Sequence, residues 1–273
     1  MATRDPHRFI NELDEEALER LVARLEGRAK DAVFARLFEK YAGRLGLSAG
    51  TRVLEVGCGT GAALRMLARR SDFAGAACGV DQSRHFVEAA NRFAQAEDVG
   101  DRVVFQVGDA HSLDFPEASF DAAIAHTLIS HVTEPSKVLA EMARVVRPGG
   151  IVAIFDGDYS SLTYAYPDHD FGQRMDKALA TATFNNPLIM RDLPRLLPEH
   201  GLSLLDAWGD AVAEIGSGSY FKSFAETYVP YVKRANMLPE QAVDQWLVDQ
   251  RKAMENGTFF AACNYYTYLA RRA

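Results

Sequence analysis

The sequence predicts an α/β fold: a doubly wound, mostly parallel sheet with helices on both faces. Three observations carry that reading. From Thr51 onward, short branched-apolar runs alternate with helical stretches, the rhythm of repeated strand–helix–strand units. The runs are almost continuously apolar, as strands are when both faces of their sheet are covered. The first run, Val53 to Val56, ends in Gly57-Cys58-Gly59-Thr60-Gly61, so a strand gives up its side chains just where a helix begins.

The elements follow in order. Leu18, Leu21, Val22 and Leu25 recur at helical spacing, and so do Val33, Phe34, Leu37, Phe38, Tyr41 and Leu45. Residues 1–49 therefore read as an N-terminal helical cap, with Gly27 as the break between its helices and Gly50 ahead of the first strand. TRVLEVG is a strand and ALRMLARR a helix; GAACGVD is a strand and SRHFVEAANRFAQAED a helix capped by Ser83. RVVFQVGDA and FDAAIAHTL are strands, PSKVLAEMARVV is a helix stopped at Arg147-Pro148-Gly149-Gly150, and IVAIFDGDY is a strand. After residue 156 the rhythm loosens. Helices are expected over 168–183 and from Asp192 to His200, a strand at LSLLDAW, and an aromatic-rich helical insertion at 217–256. The tail TFFAACNYYTYLARR reads as a last strand at the sheet edge. With no repeat or linker, the chain is expected to be one domain, with a core at 50–157 and a second half at 158–273.

Composition narrows the function classes. The net charge is −7 and no Lys/Arg block interrupts it, which argues against a polyanionic partner and leaves nucleic acid out of the expected substrates. Cys58, Cys78 and Cys263 lack disulfide or metal spacing. No apolar run approaches the ~20 residues of a membrane span. The start, MATRDPHRFINELDEEALER, is too charged for a signal peptide, so a cytoplasmic protein is expected.

The glycine loop carries the chemistry. A dinucleotide fingerprint is GxGxxG, with a pyrophosphate on the helix end. Here the spacing is Glu55-x-Gly57-x-Gly59-x-Gly61, a GxGxG preceded by an acid, which suits a ligand with an ammonium group and no phosphate. Asp81 ends the second strand, where a carboxylate can accept both hydroxyls of a ribose. Asp109, in VGDA, ends the third, where it could accept from an adenine amino group while Ala110 offers a backbone N–H.

These pieces, with FDAAIAHTLISHV and RVVRPGG, cover roughly residues 50–157 in fixed order. Through them the chain resembles the class I S-adenosylmethionine-dependent methyltransferases, in the branch of ubiquinone and menaquinone biosynthesis. The resemblance implies a Rossmann-like seven-stranded sheet whose last strand is antiparallel. It implies S-adenosyl-L-methionine as cofactor, with S-adenosyl-L-homocysteine as product. Glu55 would lie near the methionine amino group, Gly57 and Gly59 would pack on the cofactor, and Gly61 would let the following helix approach. Asp81 would hold the ribose with Gln82 beside it, Asp109 and Ala110 would read the adenine, and His126 would offer backbone to the methionine part.

A proton acceptor helps if the nucleophile is a hydroxyl or activated carbon. His131 matches a histidine found in the resembled family and is the candidate base; Asp158, in FDGDY, is the candidate substrate contact. No metal is expected, because the further Asp-Asn pair a catechol-binding ion needs is missing at a matching place. Tyr220, Phe221, Phe224, Tyr228, Tyr231 and Trp246 of the insertion read either as a core stripe or as a lid, with Phe34, Phe38 and Tyr41 opposite. The expected acceptor is a small, partly apolar metabolite, natural-product intermediate or quinone precursor. A macromolecular acceptor and a non-catalytic cofactor-binding module stand as alternatives. The oligomeric state is left open, a homodimer being the one association carried forward.

Overall fold

The computed structural model describes Asp5 and residues 10–273. A short 3-10 turn, Ile10–Glu12, leads to α1 (Glu15–Lys30) and α2 (Ala32–Ala42). Asp14 caps α1 by accepting from the Ala17 N–H, and Asp31 caps α2 by accepting from the Val33 N–H. The break between them is therefore Asp31 and not Gly27, which stays inside α1. A mid-helix glycine costs only about 1 kcal/mol, whereas the extended backbone of Asp31 ends one helix and starts the next.

The core alternates as expected: β1 (Arg52–Val56), α3 (Ala62–Ala68), β2 (Ala76–Asp81), α4 (Arg84–Ala96), β3 (Val103–Val107), β4 (Phe120–His126), α5 (Pro135–Val145) and β5 (Val146–Tyr164). There follow α6 (His169–Thr183), α7 (Ile189–Glu199), β6 (Leu202–Gly216), α8 (Tyr220–Arg234), α9 (Glu240–Glu255) and β7 (Phe259–Arg272). The sheet has seven strands in the order β3-β2-β1-β4-β5-β7-β6. The first five pair in parallel, and β7 runs antiparallel to both its neighbours. The tail is thus not an edge strand, as its position in the sequence suggested. β7 inserts between β5 and β6 and buries Phe259, Ala261, Cys263, Tyr265 and Leu269 among core side chains; β6 takes the edge.

Strand side chains alternate between the two faces, and each face has its own core. Val53, Ala77, Ile124 and Phe155 belong to the core shared with α2, α3, α6 and α8. Leu54, Val56, Val80, Ala123 and Ile154 belong to the core shared with α5 and α7. The same parity assigns the strand-end polar residues. Glu55, Asp81 and His126 fall on the first face, while Asp156 and Asp158 fall on the second.

Gly61 joins the loop to α3 at φ +75°, and a Cβ there would lie 2.4 Å from the Phe105 ring and 3.1 Å from Ala90. The clash and the left-handed backbone add. Gly61→Ala is expected to destabilise the fold by roughly 2–4 kcal/mol, read as a lowered midpoint in urea unfolding, and Phe105→Leu in the same chain is expected to recover part of the loss.

Candidate active site

The sheet order reverses between β1 and β4, the point at which open α/β sheets hold their ligands. A cavity of about 200 Å³ lies there, above the carboxyl ends of the strands. Its floor is the glycine loop with Glu55, Asp81, Gln82, Asp109 and Ala110. Its roof is Ile10, α1 and α8.

Hydrogen bonds fix the loop. The Gly57 and Cys58 N–H groups donate to the Val80 carbonyl at 2.7 and 3.0 Å. Gly59, at φ +52°, donates its N–H to Asp81 Oδ2 at 2.8 Å, and the Ser83 N–H donates to Asp81 Oδ1 at 2.9 Å. Burial raises the Asp81 pKa, and these two donors oppose the rise. One carboxylate thereby ties the loop of β1 to the end of β2.

Glu55 is 2 % exposed, and its Oε2 has no hydrogen-bond partner. Burial pushes its carboxyl up to about 8; the Leu64 N–H opposes the shift and the Asp81 charge adds to it. At neutral pH this group holds a proton that a cation could displace.

At the nucleoside end Asp109 lines the cavity, with Oδ1 accepting from the His111 N–H and lying 2.8 Å from His111 Nδ1. At the other end, His126 packs its ring 4.8 Å from that of Phe155 and shares a 2.8 Å hydrogen bond between Nδ1 and the Tyr41 hydroxyl. Burial drives its pKa well down, so it is a neutral imidazole. His131 follows on the loop after β4. Its Nδ1 is 2.9 Å from Oδ2 of Asp5, and its ring lies 4.9 Å from Phe184. Asp156 holds this loop against β5 by accepting from the Ser130 N–H at 3.0 Å. Tyr159 stacks on Phe184 at 3.4 Å, and Tyr220, Phe224 and Tyr228 complete an aromatic wall.

Of the residues singled out from sequence, Glu55, Gly57, Gly59, Asp81, Gln82, Asp109, Ala110, His126 and His131 all line this cavity. Gly61 does not; it gives α3 room against β3 and α4. Asp158 does not either, and the position expected for it is corrected. It is 2 % exposed, on the opposite face of the sheet, where its Oδ2 accepts from Arg191 of α7 at 2.9 Å. The insertion divides by face as well. Tyr220, Phe224 and Tyr228 face the cavity, while Phe221 and Trp246 pack around Tyr164 in the core. Sequence reasoning missed Arg24, Arg28 and Asp5. The two arginines, four apart on α1, put their cations one above the other on one helix face, a signal the apolar pattern hid. Asp5 offers no pattern at all. Among the described residues, no helix is long and apolar enough to cross a membrane.

The residues fit S-adenosylmethionine, a nucleoside joined to an amino acid without phosphate. The unpartnered oxygen of Glu55 would take the ammonium, and Arg28, whose charge is felt at Glu55, Tyr41 and His126, the carboxylate. Asp81 would take the ribose, with Asp109 and Ala110 at the base.

Comparison with known proteins agrees with this geometry. Residues 54–154 match a family described as "Methyltransferase domain". An uncharacterized 37.1 kDa protein of a Streptomyces fradiae transposon is 31% identical over 81% of this chain and 63% of its own length. The 27-O-demethylrifamycin SV methyltransferase of Amycolatopsis mediterranei is 41% identical over 44% of each chain. The chain thus spans less than two thirds of these relatives. Among solved structures, the (4+2)-cyclase SpnF is 25% identical, with a TM-score of 0.57 over 87% of this chain and 80% of its own. A cyclase on this fold is a reminder that site and not architecture sets the reaction.

The Glu55 shift gives a signed pH dependence. An ammonium needs the ionised form, so S-adenosylhomocysteine binding at pH 7 should release close to one proton, and affinity should rise with pH up to about 8 and then level. Calorimetry in buffers of different ionisation enthalpy measures the proton. Glu55→Gln should release none. Without ligand the sign is opposite: a carboxyl raised in the folded state favours folding at low pH, and that contribution is lost as pH rises from about 4.5 through about 8.

Proposed function

We propose, for a chain that carries a class I S-adenosylmethionine-dependent methyltransferase domain, that it methylates a small, partly apolar acceptor seated against the aromatic wall of the cavity. One observation carries the reading: a buried carboxyl with an unpartnered oxygen, Glu55, and a ribose-type carboxylate, Asp81, open onto the same apolar chamber as His131. The rifamycin-type relative acts, by its name, on a small natural product, which supports the same class of acceptor. We also read the described residues as one domain, since α1 and α8 together roof a single cavity.

When bound, the cofactor supplies an activated methyl group on a sulfonium. The chain's part is to align and to exclude water. Glu55, Asp81 and the loop N–H groups fix one side of the cavity, and Tyr159, Phe184 and the α8 rings orient a flat or greasy acceptor on the other. Alignment of this kind contributes several kcal/mol to lowering a barrier. Neutral His126, wedged between Tyr41 and Phe155, adds no positive charge beside a cationic donor. His131 takes the acceptor's proton on its ring, with the Asp5 carboxylate at Nδ1 orienting the imidazole.

Transfer of a labelled methyl group to a panel of hydroxylated aromatics and macrolide fragments tests the reading; label appearing in protein or RNA and in no small molecule would contradict it. His131→Ala is expected to lower kcat by about 10²–10⁴-fold, leaving S-adenosylhomocysteine affinity unchanged. Asp81→Ala is expected to weaken that affinity by about tenfold or more, read by calorimetry, while the affinity of Asp158→Asn stays at wild type.

A further inference from the structure

We propose that the acceptor is an anion: an apolar or aromatic small molecule bearing a carboxylate, whose charge pairs with the guanidinium of Arg24. The inference rests on the methyl-transfer reading of the same cavity and adds the chemical class of what is methylated.

Arg24 lies on α1, lines the cavity and is 9 % exposed. Its guanidinium carbon is 5.1 Å from the centre of the Tyr220 ring, 5.0 Å from Phe224 and 5.1 Å from Tyr228, and its Nη1 donates to Ser223 Oγ at 3.3 Å. Among the described residues, no carboxylate forms an ion pair with it. Met1 to Arg4 and Pro6 to Phe9 contain no Asp or Glu that could supply one. Arg65, the other deeply buried arginine among the described residues, is paired with both Glu26 and Glu97. The contrast is the argument: this chain neutralises a buried guanidinium in one place and leaves one without a counter-charge in the cavity wall.

A guanidinium stays charged at any physiological pH, and burying a charge without its partner is costly. The three ring contacts and the hydrogen bonds to Ser223 and Tyr228 offset part of that cost, but they leave the charge in place. Rings stack on the face of a guanidinium and carboxylates meet its edge with two parallel hydrogen bonds, so both can be held together. Arg28, one turn along α1, is felt at Glu55 and His126 as well as at Tyr159 and Tyr220, and we give it to the cofactor's own carboxylate. Arg24 faces the rings of α8, where the acceptor's body would rest. One cation in that cage suits one negative charge, a carboxylate in preference to a doubly charged phosphate.

The test loads the protein with S-adenosylhomocysteine and titrates it with para-hydroxybenzoate, cinnamate and decanoate, each beside its methyl ester, and with phenyl phosphate. At least one acid is expected to bind about tenfold more tightly than its ester. Arg24→Gln is expected to remove that preference while leaving ester and S-adenosylhomocysteine affinities unchanged, and Arg24→Lys to keep part of it. Arg24→Met, which keeps the apolar stem, repeats the comparison if Arg24→Gln does not fold. Esters matching their acids throughout, an acid preference surviving the loss of Arg24, or a stronger Arg24-dependent preference for phenyl phosphate would each overturn the proposal. Failure of the wild type to bind S-adenosylhomocysteine would sink the methyl-transfer reading instead.

Discussion

Glu55 and Asp81 are buried at the ends of adjacent strands, and among the described residues neither forms an ion pair. Burying an ionised carboxylate without compensation costs several kcal/mol, and the two acids answer that constraint differently. Asp81 accepts from two backbone N–H groups, which ties it to the glycine loop and stiffens both. Glu55 keeps its proton, with burial holding its pKa near 8. The result is a chamber with stored capacity for a cation and backbone presented without side chains. Gly57, Gly59, the start of α3 and the roof of α1 all line that chamber.

Alternation along the strands decides which polar residues take part. His126 and Tyr159 share the parity of the chamber face, and both line it. Asp156 and Asp158 sit one step out of phase and do structural work: one accepts from the Ser130 N–H that positions the His131 loop, the other receives Arg191 of α7. The loop that bears His131 is thus held from beneath by an acid that never meets the cavity. α8 obeys the same rule in helical form, with Tyr220, Phe224 and Tyr228 on one stripe and Phe221 turned to the core.

Much of this was legible in the sequence because the signals were local. The five parallel strands, the Ser83 cap and the gathering of Glu55, Gly57, Gly59, Asp81, Gln82, Asp109 and Ala110 at one cavity depend on spacing within a few residues of each glycine or acid. What escaped depended on contacts distant in sequence. β7 was assigned to the edge because nothing in its own residues records that β6 pairs outside it; its burial is a tertiary fact. Asp158 looked like a substrate contact because FDGDY ends a strand, but the face an acid takes follows from register with the core, and Val152 and Ile154 had already set it. Arg24 and Asp5 were invisible for the same reason: their meaning comes from α8 and from the loop after β4, some two hundred and one hundred and twenty-six positions away.

The central claim is that this loop and its acids receive a cationic nucleoside without phosphate. The most direct measurement is a side-by-side calorimetric titration of the purified chain with S-adenosylhomocysteine, NAD and ATP. The account predicts heat and saturation with S-adenosylhomocysteine and none with the two nucleotides, because the glycine loop, Gly57 to Gly61, carries no basic side chain to receive their phosphates. Saturable binding of NAD or ATP, with no response to S-adenosylhomocysteine, would contradict it.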